Sequence, residues 1–139
     1  MAEQASGRFD VEINAVASFG DGIGRLSVTK IFHGDLKGTG VGEMLAFRTA
    51  TPGSAGYVLM EKVTGRLAGR TGSFVLQHHG LMDRGLPELR VSVVPDSGTS
   101  ELAGIAGEMS IDAAANHSYV FSYTLAAPGD AAAATSDAL

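Results

Sequence analysis

The chain has 139 residues, 45% apolar and 18% charged, with a formal net charge of −5 and an isoelectric point near 5.2. That length suits one domain with one core, and the acidic balance argues against nucleic acid or an anionic membrane surface as a partner, because phosphate recognition needs clustered Lys and Arg. The lack of cysteine removes disulfides, thiolate nucleophiles and zinc–thiolate sites.

Residues 1–8 read as a flexible lead-in. Glu3, Arg8 and Asp10 stand where an export signal would place a basic end and an apolar run, so the expected location is the cytoplasm. Beyond them, bunches of glycine near Gly20–Gly24, Gly34–Gly42, Gly65–Gly72, Gly80–Gly85 and Gly98–Gly107 separate apolar or alternating runs, which is hairpin punctuation. The runs are Phe9–Ser18, Arg25–Phe32, Gly42–Thr49, Tyr57–Val63, Ser73–His78, Leu89–Val94, Leu102–Ile111 and Ser118–Leu125. Their period is close to two: Phe9, Val11, Ile13 and Ala15 alternate with Asp10, Glu12 and Asn14. Short connections predict antiparallel neighbours, and eight such strands cover their edges by closing into one β-barrel spanning residues 9–127. A two-layer sandwich is the alternative for the same strands. Residues 128–139, rich in Ala, Gly, Ser and Asp, read as a disordered tail.

Three blocks carry a resemblance: Val28 to Gly38, Gly65 to His78, and Ser97 to Gly107. In this order and spacing they resemble a bacterial family of unknown function whose members look like small barrels of the allene-oxide-cyclase type, related to dirigent proteins. The likeness covers roughly Phe9 to Leu125. It implies an eight-stranded antiparallel barrel and, through the superfamily, the binding or cyclising of small hydrophobic molecules. Fold alone does not assign the activity. The chain departs from the family pattern at Asp96 and Ser100, where Gly is usual, and at His79, where a smaller residue is common; a reshaped turn and a reshaped loop after the fifth strand are the expectation.

Taking the more apolar phase of each strand as inward gives Leu26, Val28, Lys30, Phe32; Glu43, Leu45, Phe47; Tyr57, Leu59, Glu61, Val63; Phe74, Leu76, His78; Leu89, Val91, Val93; and Tyr119, Phe121, Tyr123. Lys30, Glu43, Glu61 and His78 interrupt these phases. Charges inside a small barrel must neutralise one another, bind water or meet a ligand. Such a cluster suits proton transfer, so Glu61, His78 and Lys30 are the catalytic candidates; an internal salt bridge, or a position at a strand end, is the plain structural alternative. Tyr57, Phe74, Tyr119, Phe121, Tyr123, Phe32 and Glu43 are the candidate substrate-binding residues, the rings offering contact area and the hydroxyls fixed polar points; a simple hydrophobic core is the competing account of the same rings.

No metal or other cofactor is expected, since His33, His78, His79 and His117 lack the spacing of a zinc enzyme. Asp96, Ser97, Thr99 and His117 have the residue types of a hydrolase triad without a nucleophile elbow, and Gly20–Gly24 lacks the Lys and helix of a phosphate loop. Together with the inward polar cluster, the resemblance implies a cyclase or isomerase that templates a small hydrophobic substrate, polyketide-like or fatty-acid-like. The other reading is a non-catalytic ligand-binding or assembly module. Outward apolar residues such as Val58, Met60 and Val75 predict a homodimer under either.

Overall fold

Alternation of apolar and polar residues over long stretches gives this chain strands throughout, and the computed structural model describes residues 2–19, 22–114 and 116–125. The strands are β1 (Glu3–Phe19), β2 (Ile23–Gly34), β3 (Leu36–Arg48), β4 (Ala55–Leu67), β5 (Arg70–Asp83), β6 (Leu86–Val93), β7 (Ala106–Asp112) and β8 (Ser118–Thr124), with a single 3-10 turn over Ser100–Leu102. Each pairs antiparallel with its neighbours in sequence, and β8 returns to β1, closing an eight-stranded barrel. No described helix is long and apolar enough to cross a membrane.

The barrel is unequal at its two ends. At the end formed by the β2–β3 and β4–β5 turns, Leu36, Leu67, Leu102 and Ile105 are at most 1% exposed. Above them Phe74 stacks on Phe121 (5.6 Å between centroids), Phe121 on Tyr123 (5.3 Å), and Phe32 meets Tyr119 edge-on (5.8 Å). Burying each such side chain is worth about 1.5–3 kcal/mol, so this end is where most of the stability resides. At the other end the long strands run past the closure. The pairing of β1 on β8 spans Glu3 to Arg8, and that of β6 on β7 covers only Val91↔Met109 and Ser92↔Glu108. The rest of β1 to β6 therefore flares into a curved sheet whose inner face includes Ile13, Leu26, Met44, Tyr57 and Leu89.

Three expectations change here. Residues 3–8 are strand, not a lead-in: they form the closing seam with β8, from Glu3↔Tyr123 to Arg8↔Ser118, and Ala5 is buried. Local composition hides this because the stretch carries few apolar residues. The run Leu102–Ile111 is not one strand. Its first half is the 3-10 turn and a loop that drive Leu102 and Ile105 into the packed end, and β7 begins only at Ala106. The inward phase of β3 is also the opposite of the expected one. Met44 and Ala46 point inward with Gly38, Gly40 and Gly42, while Glu43, Leu45 and Phe47 are exposed on the outer wall. The expected tail at residues 128–139 lies outside the described residues.

Candidate functional site

The ladder places Lys30 on β2, Glu61 on β4 and His78 on β5 in successive inward layers of the barrel, exposed by 6%, 0% and 1%. Their side chains converge on one oxygen. Lys30 Nζ lies 3.2 Å from Glu61 Oε1, and His78 Nε2 lies 2.9 Å from the same atom. Glu61 Oε2 is buried without a hydrogen-bond partner and faces Gly40 on β3. A Cβ at position 40 would collide with that oxygen, so the glycine is what leaves room for the carboxylate. The Lys30 ammonium also sits 4.6 Å from the centre of the Phe9 ring, an attraction of cation to π face that partly replaces its lost hydration.

These contacts fix the protonation states. Burial pushes the Glu61 carboxyl up, but the hydrogen bond from His78 and the Lys30 charge outweigh it and hold the group below its usual value. Burial pushes His78 down, further than the Glu61 carboxylate lifts it. At neutral pH Glu61 is therefore a carboxylate and His78 a neutral imidazole. Since an ionised carboxylate only accepts, His78 donates its Nε2–H to Glu61, leaving Nδ1 as the basic nitrogen. This is the arrangement of a general base oriented by an acid partner.

Toward the flared end the next layer is Ala46, Tyr57, Gly80 and Leu89. The half-buried Tyr57 ring lies over Gly80, where a side chain would strike it, and burial raises the Tyr57 hydroxyl above its usual value so that it stays protonated. Two grooves lie outside this inner face: one of about 460 Å³ on the outer wall, bounded by Arg25, Glu43, Leu45, Met60 and His79, and one of about 720 Å³ at the rim of the flared end, bounded by Phe47, Tyr57, Leu81 and Met82.

A family model described as a protein of unknown function, DUF3224, matches residues 5–123. This chain belongs to the DUF3224 family. A crystal structure of a DUF3224 protein with unknown function from Shewanella oneidensis MR-1 is similar, at 41% identity and a TM-score of 0.87, covering 91% of this chain and 99% of that one. No curated protein matches.

In this DUF3224 barrel the residues singled out from sequence separate into groups. Lys30, Glu61 and His78 come together as a hydrogen-bonded cluster. Phe32, Phe74, Tyr119, Phe121 and Tyr123 lie together in the packed end, and Tyr57 stands apart near the flare. Tyr119 is occupied: its hydroxyl accepts from Leu36 N (3.0 Å) and donates to His33 O (2.9 Å), stitching β8 to the β2–β3 turn. Glu43 joins neither group, because it lies on the outer wall, 3.2 Å from Arg25. His33 bonds Asp10, His79 is exposed on β5 and His117 packs on Phe9, so the histidines do not converge. No group of three potential metal ligands occurs among the described residues.

Asp96 and Ser100 have φ of 64° and 53°, in the left-handed region that glycine takes freely, so each side chain is accommodated there with some backbone strain. His79 reshapes no loop, since β5 continues through it to Asp83. Sequence reasoning missed Gly40. Its only signal was the run of glycines alternating along β3, Gly38, Gly40 and Gly42.

Proposed function

We propose that this DUF3224 protein is a small-molecule-binding barrel that takes a mostly apolar ligand at the flared end and promotes its cyclisation or isomerisation by holding one reactive conformation. The observation that carries the reading is the buried Lys30–Glu61–His78 cluster beneath an inner face of Leu26, Met44, Tyr57 and Leu89. An apolar surround with a few convergent polar groups is the usual make-up of a ligand site. Holding a flexible substrate in a near-attack geometry lowers a barrier by several kcal/mol without covalent chemistry. His78 then moves a proton, Glu61 orients it, and the Tyr57 hydroxyl polarises a substrate oxygen.

Native mass spectrometry of freshly purified protein, compared with a denatured sample, tests the binding. A released hydrophobic compound is the expected result. Amide shifts on adding fatty acids or polyketide-like lactones should centre on Tyr57 and His78 and vanish in the Lys30→Met/Glu61→Leu/His78→Leu variant. Shifts that are absent, or confined to the outer wall, would sink the reading.

A second reading, a non-catalytic ligand-binding or assembly module, is supported by the ring-filled packed end and by the apolar outer wall of β2 to β5. It needs no reactive group.

A further inference from the structure

The outer wall of β2 to β5 carries Ile31, Val41, Leu45, Phe47, Val58 and Met60, each 40–58% exposed. These strands are hydrogen-bonded on both sides, so what they offer a partner is a sheet face and not an edge. An exposed face with this many large apolar side chains, interrupted by Glu43 and Lys62, marks an interaction surface. Its charges show what fits it. Val41 lies opposite Lys62 and Glu43 opposite Met60 on the β3–β4 ladder, making a square with Val41 and Met60 on one diagonal and Lys62 and Glu43 on the other. All four side chains are exposed.

We propose that this wall docks face to face on a second copy of the chain, about a two-fold axis running along the Val41–Met60 diagonal. Such an axis sets Val41 and Met60 each against its own copy. It also turns Lys62 onto the partner's Glu43, twice by symmetry. The square is thus complementary to itself in charge, with Glu43 placed to meet the partner's Lys62 beside the Arg25 of its own chain, 3.2 Å away. Face-to-face packing of two sheets is a standard arrangement for twisted strands, and the apolar residues around the square extend the contact toward the area a stable dimer needs. This deepens the assembly reading and rests on the outer wall alone, so its failure leaves the interior site untouched.

Sedimentation equilibrium of the full chain tests it. A mass near twice 14.2 kDa is expected at micromolar concentration. Met60→Glu should give monomer with an unchanged circular dichroism spectrum. Lys62→Glu and Glu43→Lys should each weaken the dimer by about tenfold or more, and the double exchange should restore it. A monomeric wild type at high micromolar concentration, a dimer indifferent to Met60→Glu, or a double exchange without rescue would each overturn the proposal.

Discussion

Replacing Glu61 by Gln removes the one carboxylate that balances the Lys30 ammonium inside the barrel. The two groups are 6% and 0% exposed and 3.2 Å apart, so no solvent takes over the pairing. Deleting one partner of such a buried pair costs about 3–5 kcal/mol, because the remaining charge is left uncompensated. The Phe9 face, 4.6 Å from Lys30, returns about 1 kcal/mol of this, which puts the expected loss near 3 kcal/mol. For a domain of this size that is a fall of roughly 10 °C in Tm, measured by calorimetry, with a matching drop in urea midpoint at unchanged slope. Replacing the whole cluster, Lys30→Met/Glu61→Leu/His78→Leu, should instead leave stability near wild type or raise it, because nothing charged remains to desolvate. An Glu61→Gln protein within about 1 kcal/mol of wild type would refute the reasoning, since Lys30 would then have its counter-charge elsewhere.

Two further outcomes follow from the same geometry. His78 and Glu61 both have lowered values in the folded protein, so in each case the unfolded chain takes up its proton first. The stability these two groups contribute is full well above pH 6.5 and below the alkaline range of the buried tyrosines, begins to fall as pH drops below 6.5 through His78, and falls again below 4.5 through Glu61; urea midpoints across that range should fall in those two stages, and a flat profile would contradict the assigned states. Tyr119→Phe leaves the buried Leu36 N–H without its acceptor and should cost about 1–3 kcal/mol in urea unfolding, although it removes a single oxygen.

Much of this was legible because side-chain period in a strand is local. The alternation in β2, β4 and β5 placed Lys30, Glu61 and His78 on inner faces, and burial of unlike charges in one barrel left pairing as one of the outcomes open to them. β3 defeated the same rule. Its inner face carries the smallest side chains, Gly38, Gly40 and Gly42, because the Glu61 carboxylate fills the space in front of Gly40 and the β4 backbone lies too close to Gly38 and Gly42 for a side chain, whereas its outer face carries Leu45 and Phe47. Hydrophobicity therefore ran outward, and Glu43 was assigned to the wrong side. β1 defeated it differently: what makes Glu3 to Arg8 a strand is β8, more than a hundred residues away in sequence. The Tyr119 hydroxyl bond to the β2–β3 turn is likewise a long-range meeting that no local pattern announces.

The seam between β6 and β7 gives the barrel a hinge side and a latch side. Seven of the eight joints between neighbouring strands are zipped by at least six residue pairs, but this one is held by Val91↔Met109 and Ser92↔Glu108, with Arg90 reaching 2.9 Å to Glu108 across it. Fewer ladder hydrogen bonds mean less local stability, so this joint is the one with the least backbone pairing to hold it. Val91 is also directly opposite His78 on the β5–β6 ladder. The joint held by the fewest ladder pairs is thus one strand away from the imidazole, on the side of the barrel opposite the long, fully paired strands β2 to β4.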